Sequence, residues 1–258
     1  RCSSCLSSQT PLEQSAQRLA SAVQAQLHRA RGDAEDLRHL GRVALLDVAQ
    51  HEDRALALGE PLDAAADDPA KLAAHVVSRG CRMGVAFDGD GDRAIFVDHR
   101  GHVVDGDAVL LMLALHYQTQ GKLAGNTVVA TVMSNIGLEI ALKDHGINLI
   151  RTPVGDKYVM EEMMAGGFVL GGEQSGHVIL SEHLPTGDGM ATALAVLRVM
   201  AESGRELGEL ARALRTYPQT LVNVRVKDKR PIEDVSQIQA AISRVEAALD
   251  GRGRVLVR

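Results

Sequence analysis

From Gly80 onward the sequence alternates short β-branched runs with longer glycine-closed ones, and few folds accept that order. "MGVAF", "AIFVD", "TVVATVM", "INLIRTPV" and "FVLGG" read as strands, because their β-branched and aromatic side chains suit a pleated surface. "AVLLMLALHYQTQG", "NIGLEIALKDHG", "DKYVMEEMMAGG" and "DGMATALAVLRVMAESG" have helical length and end in glycine. Strand and helix in alternation predict an α/β fold with a mainly parallel sheet covered by helices. Ligands are then expected at the carboxyl ends of the strands, where the polar loops fall.

Upstream the signal is different. In "LEQSAQRLASAVQAQLHRARGDAEDLRHL", Leu19, Val23 and Leu27 recur at helical spacing on a polar background, which suits a surface helix. A turn-rich connection ending at Pro69 leads to "AKLAAHVVSRG", a short helix closed by Gly80. The cysteines, Cys2, Cys5 and Cys81, are odd in number and give no disulfide framework, and "CSSC" has no second Cys/His pair at metal spacing. A net charge of -5 without a long Lys/Arg run leaves no footprint for nucleic acid or an anionic membrane. The longest apolar run, Ala108 to Tyr117, is about half of what a bilayer span needs. The expectation is a soluble, cytoplasmic chain, and because it begins with Arg1 it reads as a fragment.

Between the first two strands lies "DGDGDR". On an extended backbone Asp88, Asp90 and Asp92 share one face, while Gly89 and Gly91 allow a tight curve. Carboxylates 4 Å apart repel by roughly 4 kcal/mol per pair at an effective dielectric near 20, and a cation removes that penalty. Oxygen ligands favour Mg²⁺ or Ca²⁺ over zinc. An EF-hand is excluded, since its sixth and twelfth positions would be Arg93 and His99 instead of glycine and glutamate.

Two further loops carry polar groups. In "LGGEQSGHVIL", Glu173, Ser175 and His177 alternate among Gly171, Gly172 and Gly176, a set of acceptors and donors suited to sugar hydroxyls. In "TPVGDKYV", Gly155 and Lys157 open a helix whose backbone N–H groups, with the ammonium, could hold a phosphate. "TGDGM" reads as a cap for the following helix, and His75, His116 and His145 are assigned no role.

Taken in order, "GVAFDGDGDR", "TVMSNIGLE", "TPVGDKYVMEEM", "LGGEQSGH" and "TGDGM" resemble the α-D-phosphohexomutase family, most of all its bacterial phosphoglucosamine mutase branch. The resemblance runs from about residue 81 to 222. It implies an isomerase that interconverts glucosamine 6-phosphate and glucosamine 1-phosphate for cell-wall precursors, by Mg²⁺-dependent phosphoryl transfer through a phosphoserine. It also implies roles for individual residues: Asp88, Asp90 and Asp92 as Mg²⁺ ligands, Arg93 as stabiliser of the moving phosphoryl group, and Glu173, Ser175, His177 and Lys157 as substrate contacts. Gln174 stands where phosphomannomutase/phosphoglucomutase relatives carry methionine, which favours the glucosamine branch.

On this reading residues 1–60 are an atypical N-terminal segment, and 61–104 the C-terminal part of a metal-binding domain. Residues 105–217 form a sugar-binding α/β domain, and 218–258 a linker and the start of a truncated C-terminal domain. The fold expected is two consecutive α/β domains with mixed, mainly parallel sheets. The family's Thr-Ala-Ser-His-Asn-Pro and Arg-Pro-Ser-Gly-Thr-Glu loops do not occur in these 258 residues, so the chain by itself is expected not to turn over. The alternatives are a mutase of mannose or glucose phosphates, a non-catalytic Mg²⁺ and sugar-phosphate binding remnant, and a magnesium-dependent phosphohydrolase. The partner implied is a hexosamine phosphate, and a homo-oligomer is compatible with all of these readings.

Overall fold

A computed structural model of the chain describes residues 69–220, 234–250 and 253–257, together with the backbone of Arg42–Leu46. The helix expected around Leu19, Val23 and Leu27 and the Cys2/Cys5 pair lie outside the described residues. A first sheet runs in the order β1 (Arg42–Leu46), β2 (Met83–Phe87), β3 (Ala94–Asp98), β4 (Val103–Val104). All its described neighbours pair antiparallel, with Val85 opposite Phe96 in the central pair, where a mainly parallel sheet was expected. The connections explain the difference. Residues 88–93 and 99–102 are tight turns, far too short for the crossover that parallel neighbours require.

Helix α1 (Pro69–Arg79) covers one face of this sheet, burying Leu72 and Val76 over Ala86 and Val97. Its approach depends on Gly84, where a Cβ would come within 2.5 Å of Val76 Cγ2.

The second sheet has the order β6-β5-β7-β8: β5 (Thr127–Thr131), β6 (Asn148–Thr152), β7 (Leu170–Gly172) and β8 (Val178–Leu180). β5 pairs parallel with β6 and β7, and β8 is antiparallel, so this sheet is mixed and mainly parallel as expected. α2 (Gly106–Thr119) leads into β5, α3 (Ile136–Asp144) into β6 and α4 (Asp156–Gly166) into β7, while α5 (Gly189–Ser203) and α6 (Leu207–Ala211) follow the sheet. Val159 and Met163 of α4 pack on Val129 and Ile179. α2 lies at the centre, with Gly106 to Ala114 and Tyr117 all buried. One apolar core runs from Met83 and Phe96 through Leu110 and Leu113 to Val128 and Leu170, so both sheets share it. No helix among the described residues is long and apolar enough to cross a membrane.

In a β-α-β unit the helix runs against its strands, so the start of α2 lies at the ligand end of the second sheet. There Asp107, fully buried, accepts a hydrogen bond from the Asn135 backbone N–H at 2.7 Å. The Asn135 side chain caps α3 through Gly137 N and also grips Tyr217, accepting from its N at 3.0 Å and donating to its O at 2.8 Å. Gly137 is required at this contact, because a Cβ would sit 2.0 Å from the Arg215 carbonyl oxygen. Beyond α7 (Ser236–Leu249), Arg254 donates to the carbonyl oxygens of Val132 and Ser134 in the same loop.

Burial pushes the Asp107 carboxyl up to about 6, against the pull of the Asn135 amide and the Arg151 guanidinium. This lies above the unfolded-state value, so the folded chain holds an extra proton between roughly pH 4 and 6. On this group's account stability is greatest below that window and falls as pH rises through it. Asp107→Asn keeps an acceptor for Asn135 and is expected to flatten that slope, raising stability at pH 8 by up to roughly 3 kcal/mol. Urea denaturation of both proteins at pH 5 and pH 8 measures the effect.

Candidate active site

The acidic turn is built by its backbone. Gly91 takes φ +78°, a left-handed conformation open to glycine, and its N–H bonds the Asp88 carbonyl at 3.1 Å. Asp88 Oδ1 also accepts from the Arg93 N–H at 3.2 Å, which closes the turn. Asp88, Asp90 and Asp92 each present an oxygen to one point, all three within 4.8 Å of one another. Asp92 Oδ1 is buried and lacks a hydrogen-bond partner. Burial, then the hydrogen bond and charge of Asp88, push the Asp92 carboxyl up to about 6, with His177 partly opposing them. An orphaned buried oxygen in a crowd of carboxylates fits a hard divalent cation such as magnesium.

Arg93 follows the turn with about half its side chain exposed, its Nε 3.6 Å from Asp88 Oδ2 and 3.9 Å from Asp92 Oδ1. These contacts are loose, so the guanidinium keeps donors for an anion.

The polar loop between β7 and β8 is fastened to this turn. Arg93 and His177 form an antiparallel bridge, and Ala94 N donates to the Gly176 carbonyl at 3.1 Å. The His177 ring is buried, with Nε2 3.5 Å from Asp92 Oδ2 and Nδ1 without a partner. Glu173 turns elsewhere: Oε1 accepts from Gly155 N at 3.1 Å and Oε2 from Ser175 Oγ at 3.3 Å. The loops opening with Gly155 and Glu173 therefore meet, and Ser175 is exposed above them. Lys157 is the second residue of α4, its Nζ 3.7 Å from Glu161 Oε1 and largely exposed.

"TGDGM" does more than cap. Asp188 accepts from Ala191 N at 2.8 Å, the cap that the sequence predicts. Its flanking glycines are also seats. A Cβ at Gly187 would lie 2.2 Å from His177 Nε2, and one at Gly189 would lie 2.5 Å from the Arg93 carbonyl oxygen, while Gly189 N donates to the Gly91 carbonyl. Sequence reasoning passed over these two glycines, because the Asp188 cap alone accounted for the motif.

The carboxylate turn of the first sheet is thus fastened to the polar loop of the second. Residues 105–217 match the family described as "Phosphoglucomutase/phosphomannomutase, alpha/beta/alpha domain III", and residues 221–258 its C-terminal domain. The chain belongs to this phosphohexomutase family. Among its relatives, phosphoglucosamine mutases are 55% identical over 190 residues in Moorella thermoacetica and 56% over 183 in Solibacter usitatus. The first alignment covers 74% of this chain and 43% of the relative, the second 71% and 41%. The chain thus spans about two fifths of the curated relatives it matches.

Among solved structures, a provisionally named phosphomannomutase from Thermus thermophilus superposes with a TM-score of 0.52 at 31% identity, over 57% of this chain and 33% of its own. An Aspergillus fumigatus N-acetylphosphoglucosamine mutase, in complex with GlcNAc-6P and magnesium, shares the fold with a TM-score of 0.54 at 21% identity, over 64% of this chain and 43% of its own.

Proposed function

We propose that the chain carries the metal and sugar loops of a phosphoglucosamine mutase, interconverting glucosamine 6-phosphate and glucosamine 1-phosphate by phosphoryl transfer through a phosphoserine borne on another segment. The observation that carries this reading is the junction of the two loops, the Arg93–His177 bridge that sets the carboxylate turn against the Glu173–His177 loop. The similarity to phosphoglucosamine mutases supports the choice of sugar. In this reading residues 61–104 belong to a metal-binding domain, 105–217 form the sugar-binding domain, and 218–258 are a linker and the start of a C-terminal domain.

The roles follow from the chemistry of each group. Asp88, Asp90 and Asp92 would hold Mg²⁺, which neutralises charge on phosphoryl oxygens when bound. Arg93 has donors to spare beside the turn and stabilises the equatorial oxygens as charge spreads over them. Glu173, fixed by Gly155 N and Ser175 Oγ, retains lone pairs to accept from sugar hydroxyls, and Ser175 supplies an exposed hydroxyl. The buried His177 ring backs Asp92 and spaces the two loops. Lys157 contributes positive charge at the start of α4, where a substrate phosphate would approach.

Titration calorimetry tests the assignment. The purified chain is expected to bind glucosamine 6-phosphate only with magnesium present, and more tightly than mannose or glucose 6-phosphate. A coupled assay should show turnover only after a serine-bearing first domain is added. Turnover by the chain alone, or preference for mannose or glucose phosphate, contradicts the reading.

A further inference from the structure

The loop that would read the sugar is tied at a second point, the start of α2. Gln174 sits between Glu173 and Ser175, yet its side chain is half-buried and its Nε2 donates to Asp105 Oδ2 at 3.2 Å. Its carbonyl oxygen accepts from Gly106 N at 3.0 Å. Asp105 is the N-cap of α2 and uses its other oxygen, Oδ1, to accept from Ala108 N at 3.1 Å. A Cβ at Gly106 would lie 2.0 Å from the Glu173 carbonyl oxygen and 2.9 Å from Gly176 N, so the loop backbone is pressed against the start of the helix.

From this geometry we infer that Gln174 is a positioning residue, which sets where Glu173 and Ser175 stand by anchoring their loop to the Asp105 cap of α2. The inference rests on the reading of this loop as the sugar site. α2 is the most deeply packed helix described, which makes its first turn a fixed reference point. A carboxylate only accepts, so residue 174 must offer a donor to close the contact. Residue 174 therefore tunes recognition from behind the loop. A misplacement of about 1 Å in a site's positioning groups can cost a reaction about a hundredfold in rate.

Exchanging amide and carboxylate across the contact separates this role from general packing. Gln174→Glu sets a carboxylate against Asp105 and should lower affinity for glucosamine 6-phosphate, measured calorimetrically with saturating magnesium, at least about tenfold. Asp105→Asn keeps the helix cap, since Asn and Asp cap equally well, and supplies a donor. The double variant is therefore expected to return to within about threefold of the parent chain. Magnesium affinity, measured alone, should be unchanged in all four proteins, because the acidic turn is not altered. A parent chain that binds no sugar phosphate overturns the reading of the site. If the parent binds, three results overturn the positioning role: Gln174→Glu within twofold of the parent, failure of the double variant to recover, or a parallel loss of magnesium affinity.

Discussion

Asp92→Asn is expected to weaken magnesium binding by about a hundredfold while leaving the metal-free protein at least as stable as the parent. The two effects part company because Asp92 is a good ligand and a poor neighbour. Its Oδ1 is buried without a donor, and burial together with Asp88 already pushes its carboxyl toward protonation. Removing the charge relieves repulsion when no cation is present. It also deletes one of three anionic ligands, and even residues that only orient metal ligands cost 10- to 100-fold in affinity when lost. The amide keeps an oxygen to face His177 Nε2. Thermal melts with and without magnesium give the answer. The parent should gain stability on adding the metal and the variant should not; an equal gain in both would rule out Asp92 as a ligand.

Gly106→Ala is expected to cost more than about 4 kcal/mol, a size reserved for severe backbone or core lesions. The added methyl would meet the Glu173 carbonyl oxygen at 2.0 Å, Gly176 N at 2.9 Å and the Gln174 carbonyl oxygen at 3.0 Å. All three are backbone atoms, so no side chain can rotate away, and either α2 or the loop must move. Gly89 is the control. A Cβ there meets nothing within 4 Å and its φ is not left-handed, so alanine should change stability by no more than about 0.5 kcal/mol. Urea denaturation compares the pair, and similar midpoints would show that the loop is not seated on the helix as described.

The parts of this molecule legible in its sequence are those determined by neighbours along the chain. β2, β3, β5 and β6 come from short runs rich in apolar, β-branched or aromatic residues, and α2, α3 and α5 end at the glycines or caps that mark them. The acidic turn is legible because three carboxylates spaced by glycine leave little chemistry other than cation binding. Pairing direction in the first sheet was missed although the turn lengths contain it, since the alternation downstream suggested mainly parallel order in both sheets. β8 was missed because "VIL" reads as the tail of the polar loop, and β1 because it lies in a segment without family motifs.

Long-range contacts were out of reach. Asp105 and Gln174 are 69 positions apart, and Asn135 and Tyr217 are 82. No local pattern distinguishes Asp105 from an ordinary cap, or Gly187 and Gly189 from ordinary loop glycines. Their meaning comes from what lies across the gap, a carboxamide in one case and a histidine ring and a carbonyl in the other.

The loop that follows β5 holds the chain at two later points. Asn135 pins the chain at Tyr217 as it departs, and the carbonyl oxygens of Val132 and Ser134 receive Arg254 on its return. Tyr217 and Arg254 are thus both held by one short loop, Val132 to Asn135, so a change that reshapes this loop acts on both contacts at once.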